Sequence, residues 1–309
     1  MMKKALVIYY SQTGQLAEIV TSITSELKNT EEFKLINEEI RPKNPYPFPW
    51  TGKQFFQAFP ESVQGIPCEL NPVTCNPDEQ YDLIILAYQI WYLSPSIPVN
   101  SFLQTDEAKK IINGKPVITV IGSRNMWVMA HERISKMIEG IGGQHVGNIV
   151  LTDKAPNLIS VVTIIRWLVG GRREGRGIYK KIFPRAGVSE EDINSSSRFG
   201  PIILKAIRDN NVYQLQKDLV NAGAVEIKPV LISIEKRGYM MFKIWSKIIL
   251  KKGAYGDPKR DPMLSLFKYY LFTVIFLISP IAAVIFSFIH SINRKGTRKT
   301  IRYYSGITK

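Results

Sequence analysis

Histidine and cysteine are scarce in this chain: three histidines (His131, His145, His290) and two cysteines (Cys68, Cys75) among 309 residues. The histidines are scattered, and the cysteine spacing matches no zinc or iron–sulfur ligand pattern, so no metal centre is expected. Neither cysteine has a paired histidine in sequence, which argues against a thiol nucleophile and covalent acyl chemistry. Two ordinary, half-buried thiols suit a reducing compartment. A secretory leader is also missing. The apolar run near the start is too short for one and reads as a strand, which keeps the first half of the chain on the cytoplasmic side. Internal repeats and low-complexity tracts are absent. Positive charge is scarce in one half only. Residues 1–150 carry a net charge of −2 and residues 151–309 carry +17. The basic clusters, Arg172-Arg173-Glu174-Gly175-Arg176 and Lys251-Lys252, belong to no nucleic-acid-binding motif. The expected partner of the basic half is therefore an anionic membrane and not a nucleic acid.

Against these absences stands one informative stretch, residues 4–28. The apolar run Ala5–Tyr10 ends abruptly at Ser11-Gln12-Thr13-Gly14-Gln15, after which Leu16, Ile19, Val20, Ile23 and Leu27 recur at helical spacing. This is a buried parallel strand, a short polar turn and an amphipathic helix. The turn puts hydroxyl residues and a glycine where a helix N-terminus leaves backbone N–H groups unpaired, a geometry that suits a phosphate. Ser11 and Thr13 add O–H donors and Gly14 permits close approach of the backbone. A simple capped turn without ligand is the competing reading of the same residues.

Further strand patterns run over 81–88, 115–121 and 148–151, with helical patterns at about 97–112 and 128–142. Alternating strands and helices imply a parallel sheet covered on both faces. In such sheets ligands bind beyond the carboxyl ends of the strands, where the strand order reverses. Three loops would emerge there: Ser11–Gln15 with Leu16, Ile90-Trp91-Tyr92-Leu93, and Gly122-Ser123-Arg124-Asn125-Met126-Trp127. One would hold a phosphate, and the other two, bearing indoles and a phenol, would flank a flat ring.

The motif SQTGQL resembles the phosphate-binding loop of flavodoxin-like FMN proteins, Ser/Thr-x-Thr-Gly-x-Thr. QIWYLSP and GSRNMW occupy the places of that superfamily's two ring-flanking loops. The resemblance covers roughly residues 3–152 and implies FMN as cofactor. Leu16 stands where the pattern has its last hydroxyl, a loss worth about 0.5–1.5 kcal/mol for one neutral hydrogen bond. A narrower resemblance rests on MMKKALVIYYSQTGQL, RPKNPYPFPWTGKQFFQAFPESVQGIPCEL, GSRNMW and the hydrophobic C-terminus. These are similar to the flavoprotein family of dialkylresorcinol biosynthesis, often labelled "condensing enzyme". That resemblance implies FMN-dependent oxidation of a lipophilic cyclic diketone, a dialkylcyclohexanedione, to a dialkylresorcinol after a partner ketosynthase has made the ring.

Residues 41–80 form a long insertion with eight prolines and six aromatic residues between Tyr46 and Phe59. Prolines forbid a continuous helix or central strand, and the aromatics argue against disorder. An ordered lid over the ring and a plain cover on the sheet's flank both fit. Beyond residue 151 the pattern is mainly helical: 157–170, 201–223 and 238–250. Tyr269–Ile292 contains no Asp, Glu, Lys or Arg, is flanked by basic residues at both ends, and is long enough to cross a bilayer. Pro280 kinks a single span or turns a re-entrant hairpin; the kinked anchor is the preferred expectation.

The expected architecture is thus α/β: a flavodoxin-like doubly wound parallel sheet over 1–170, a basic helical extension over 171–262, and a membrane anchor over 263–309. This would place the chain on the cytoplasmic face of the inner membrane. His131 is the candidate base, though a lone histidine is as ordinary in a structural role. Arg124 is the candidate for steadying a flavin carbonyl or substrate enolate. Tyr92 and Trp127 are better suited to stacking. Two other functions fit the same residues: a membrane-associated NAD(P)H:quinone-type reductase or electron carrier, and a non-enzymatic membrane scaffold.

Overall fold

The computed structural model describes residues 2–306 apart from Arg176. Arg176 of the basic cluster and the last three residues of the chain lie outside the described residues. The first run forms β1 (Lys3–Tyr9), followed after a five-residue turn by α1 (Gln15–Lys28) and β2 (Phe33–Glu39). The Pro- and aromatic-rich insertion contains two short helices, α2 (Gly52–Gln57) and α3 (Phe59–Gln64), before β3 (Leu83–Trp91) and its two-residue antiparallel return β4 (Ser94–Pro95). Then come α4 (Ile97–Phe102), α5 (Asp106–Ile112), β5 (Pro116–Ser123), α6 (Val128–Gly140) and β6 (Gln144–Thr152).

The five long strands are all parallel and lie in the order β2-β1-β3-β5-β6. Counting parallel strands alone this is 2-1-3-4-5, the doubly wound flavodoxin-like order. The strand sequences explain the two layers. Side chains alternate across a strand, so Ala5 and Val7 enter one core with α1, while Leu6 and Ile8 enter the other with α4–α6. Both faces are apolar because both are covered.

The second half is helical, as its pattern implies: α7 (Asn157–Gly170), α8 (Ile178–Ile182), α9 (Glu190–Ser195), α10 (Phe199–Arg208), α11 (Leu215–Asn221), α12 (Pro229–Leu250), α13 (Asp261–Thr273), a π-helical turn (Val274–Ile278), α14 (Ser279–Ile292) and α15 (Arg294–Tyr304). The single helix expected over 201–223 is broken into α10 and α11. Asn210 takes φ 53°, a left-handed conformation that asparagine tolerates and a helix does not. Helices α9–α11 are not a separate extension. Val188, Ile193, Phe199, Ile203, Leu215 and Leu219 complete the core on the α1 side of the sheet.

Among the described residues one continuous helical segment, Pro258–Ile292, is long and apolar enough to cross a membrane, and only 11% of its most apolar window is buried. It is no detached tail. Phe267 packs against Phe242 and Trp245 of α12, and near the other end His290 bonds to Ser233 (3.0 Å) while Arg237 covers the ring of Phe286 (4.3 Å).

Candidate functional site

The turn after β1 is held from several sides. Gly14 adopts φ 85°, and a Cβ there would meet nothing within 4 Å, so the backbone lies open to solvent. No side chain caps α1 at Gly14; the Ala17 N–H is taken by Ser11 Oγ at 3.2 Å. The two glutamines of the motif have structural duties. Gln12 donates to the Pro47 carbonyl (3.0 Å), tying the turn to the insertion. Gln15 makes a two-way clamp with the Val188 backbone, both bonds 3.0 Å. Leu16 points into the core beside Gly122 and is almost fully buried.

At the carboxyl ends of β1, β3 and β5 a cavity of about 230 Å³ opens between this turn, the Gln89–Tyr92 segment and Gly122-Ser123-Arg124. Tyr92 and Leu93 both take left-handed φ angles, 51° and 60°, as the tight β3–β4 hairpin requires of its two central residues. The Tyr92 hydroxyl donates to the Phe55 carbonyl at 2.7 Å, and Trp91 meets Tyr46 and Trp50 edge-on at 5.0 and 5.4 Å. Trp50 and Phe55 themselves line the cavity. The insertion therefore forms one wall of the site, with its α2 started by a Thr51–Gln54 capping box.

Two polar groups on the lining, Gln89 Nε2 and Ser123 Oγ, are buried with no hydrogen-bond partner among the described residues. Unpaired buried polar atoms are costly, so both are poised to bond a ligand in the cavity. Arg124 is enclosed, with Nη1 donating to the Asn157 carbonyl and Oδ1 at 3.1 and 2.6 Å. Burial lowers its pKa to about 10, Asp153 working in the opposite direction, so the guanidinium is charged at neutral pH. Among the described residues, Arg124 and Tyr92 are the only titratable side chains on this lining. Burial pushes the Tyr92 phenol well above its ordinary value.

Of the residues singled out in the sequence, Gln12, Thr13, Gln15, Leu16, Ile90, Trp91, Tyr92, Gly122, Ser123 and Arg124 line this cavity. Leu93, Asn125 and Met126 line an adjoining one. Ser11 and Gly14 shape the turn. Trp127 is buried in the core and borders a small separate cleft against α12. His131 is not brought here. It lies on α6 beside Tyr88 (3.4 Å) and His145 (ring centroids 5.1 Å apart) and lines a different cavity. Trp127 caps the start of α6 and His131 follows one turn later, its ring 5.6 Å from the indole and packed on the sheet side against residues of β3 and β6.

Sequence reasoning missed a basic neighbour. A third cavity shares Thr13, Gln15 and Trp167 with the first and is bordered by Arg172, Arg173 and Arg185. Arg173 stacks over Trp167 (5.2 Å) and donates to the Val188 carbonyl (2.9 Å). The charge run was visible, but its closeness to residue 13 depends on how α7 folds back. Cys68 is half-buried and Cys75 buried, both as free thiols. Among the described residues no group of histidine, cysteine or acidic side chains could hold a metal ion.

No protein-family model matches the chain, and no curated protein sequence does. Among solved structures, a flavoprotein in complex with FMN from Lactobacillus acidophilus NCFM is 20% identical, covering 48% of this chain and 91% of its own, with a TM-score of 0.37. A putative flavoprotein from Bacteroides uniformis is 20% identical over 54% of this chain and 99% of its own (TM-score 0.39). A flavodoxin from the domain Archaea is 12% identical over 66% and 99% (TM-score 0.37).

Proposed function

We propose that this chain is a membrane-attached, FMN-dependent oxidoreductase that aromatises a dialkylcyclohexanedione to a dialkylresorcinol. The observation that carries the reading is the cavity at the strand ends, lined both by the start of α1, where Gly14 supplies no side-chain cap, and by the enclosed guanidinium of Arg124 in a largely apolar wall. The residues fit FMN. The Ser11–Gln15 turn and the first amides of α1 would take the phosphate, with Arg172 and Arg173 supplying charge that the missing hydroxyl at Leu16 does not. Gln89 and Ser123 would meet the polar edge of the ring system, and Trp91 and Tyr92 would back it.

Bound FMN would supply a two-electron acceptor that takes a hydride equivalent from a ring carbon of the substrate, and oxygen or a membrane quinone would restore it. A cyclic 1,3-diketone is acidic enough to enter as its enolate. Arg124 would hold that negative charge in a site of low polarity, where a fixed cation is worth most. The hydride would leave the ring carbon beta to the carbonyls, so the enolate charge must first move to the adjacent ring carbon by exchange of one proton; the enedione formed then tautomerises to the resorcinol. Water would carry that proton, since no histidine or carboxylate among the described residues lines the cavity. His131 has no part in this scheme. A ketosynthase would supply the ring, and the apolar C-terminal helix would hold the chain at the cytoplasmic face of the inner membrane.

The test is the absorption spectrum of the detergent-purified chain before and after anaerobic addition of a synthetic dialkylcyclohexane-1,3-dione. Bleaching of bound flavin with formation of resorcinol is expected. Bound flavin that bleaches only with NAD(P)H would favour the second reading, a pyridine-nucleotide:quinone reductase. The arginine-bordered cavity beside Thr13 supports that reading by offering room for a second phosphorylated ligand. A chain that takes up no flavin would leave a membrane scaffold.

A further inference from the structure

A second cavity, again about 230 Å³, adjoins the first, and Ile90, Tyr92, Arg124 and Ile164 line both. Its character is different. One wall is α7, through Val161, Ile165 and Val169; the facing wall is Leu271 and Phe272 of α13 with Ile275 of the π-helical turn. Its polar side chains are Tyr92 and Arg124, which also line the first cavity, and Asn125. An apolar space with one charged corner suits a ligand with an ionisable head and a hydrocarbon tail.

Exposed hydrocarbon continues from this cavity. Val169, on its α7 wall, is 44% exposed, and further along the apolar helix Leu277, Ile281 and Val284 are 63–71% exposed. An uncovered apolar face of this extent marks a contact with protein or lipid. Charge decides for lipid: the helices packed on or following the apolar segment carry Lys243 and Lys247 (α12) and Arg294, Lys295, Arg298 and Lys299 (α15), which suit anionic headgroups. Depth follows from packing. The apolar helix is seated near both ends on α12, whose lysines are excluded from hydrocarbon. The face therefore lies in one leaflet, as an interfacial helix does.

Resting on the oxidoreductase reading above, we propose that this second cavity binds the alkyl chain of the substrate and opens sideways into the acyl layer of the membrane. The ring then meets Arg124 while the chain lies between α7 and α13. A hydrophobic substrate reaches the site without crossing water.

The full chain in phosphatidylcholine/phosphatidylglycerol nanodiscs, with and without FMN, is titrated calorimetrically with resorcinols bearing one-, five- or eleven-carbon chains. After correction for partition into empty nanodiscs, affinity should rise roughly fourfold per added methylene over the first few carbons, from the transfer free energy of a buried CH₂. Ile165→Trp and Ile275→Trp, which fill the cavity from half-buried positions, should abolish that rise. Methylresorcinol affinity should stay within about twofold, showing that the fold survives. Affinity independent of chain length in the unaltered chain, or a rise the two tryptophans leave intact, would overturn the proposal. Visible absorbance reports flavin uptake separately. Chain-dependent binding without flavin would keep the alkyl site and sink the redox reading.

Discussion

Arg260 and Glu61 form a two-pronged ion pair, Nη1–Oε1 2.8 Å and Nη2–Oε2 2.9 Å, with the arginine side chain wholly buried. The pair joins two elements that sequence separates by almost the whole fold: α3 of the insertion and the start of the apolar helix. Gln57 and Lys53 extend the joint to Asp261 at 3.0 and 2.7 Å. Phe59 stacks on Phe267 at 3.7 Å. The wall of the candidate flavin site is thereby fastened to the segment that would meet the membrane.

Removing one partner of that pair should be far worse than removing both. Glu61→Gln strands a buried guanidinium and is expected to cost about 3–5 kcal/mol. The double replacement Glu61→Leu with Arg260→Met leaves no unpaired charge and should cost much less. Thermal or urea unfolding of the detergent-solubilised variants measures both. Equal losses in the two would mean that the pair contributes packing and not charge.

Glu235 supplies a pH dependence. Its carboxylate, on α12, accepts the Met129 N–H at 2.8 Å at the start of α6, yet burial outweighs those amides and raises its pKa from 4.5 to about 7, with Glu132 adding to the rise. The folded state therefore holds a proton that the unfolded state has lost between pH 4.5 and 7. Stability from this group is complete below pH 4.5 and is lost as pH climbs through 7, with a slope of at most about 1.4 kcal/mol per pH unit. Unfolding midpoints of the native chain should fall from pH 5 to pH 8 more steeply than those of Glu235→Gln. Parallel pH profiles would show that the carboxyl is ionised throughout.

The strand, turn and helix at residues 3–28 were legible because everything that makes them is local: an apolar run, a glycine with φ 85° and a helical period. The parallel sheet followed from three more runs of the same kind, but its strand order is set by the pairing. What the residues did not disclose is set by contacts across long separations. Gln15 reads as a phosphate-loop residue, but Val188 engages its side chain. Leu16 reads as a missing hydroxyl, but it fills the core beside Gly122. Helices α9–α11 read as an extension, but they close the first core. His131 sits on an ordinary helical face, and only the direction of that face removes it from the site.

Two glycines should separate the cost of backbone strain from the cost of crowding. At Gly14 a Cβ meets open space, so Gly14→Ala should lose only the left-handed penalty of about 1–2 kcal/mol. Its new methyl would stand in the phosphate turn, so FMN retention should weaken more than stability does. At Gly187 (φ 83°) a Cβ would lie 2.6 Å from Gln15 Oε1 and 2.8 Å from Trp167 Cζ3. Gly187→Ala should add roughly 1–3 kcal/mol of overpacking to the same penalty and break the Gln15–Val188 clamp. Unfolding and flavin-retention measurements on the pair test this; equal destabilisation would refute it.

Arg124 offers the most direct probe of the chemistry. Its pKa, lowered by burial to about 10, leaves it charged from pH 6 to 9. If it holds an enolate, dione binding should rise where the dione ionises, stay level through neutrality, and fall only as pH approaches 10. Arg124→Met removes the cation and the bonds to Asn157, at a stability cost of about 1.5–3 kcal/mol for hydrogen bonds to a charged group. The variant should bind the anionic dione at least tenfold more weakly, while affinity for a neutral 1,3-dimethoxy analogue changes little. Arg124→Lys restores charge without the planar fork and should recover part of the difference. Calorimetric titration of dione and analogue across pH reads all of these. A methionine variant that loses both ligands equally would make Arg124 a structural residue that shapes the cavity without recognising charge.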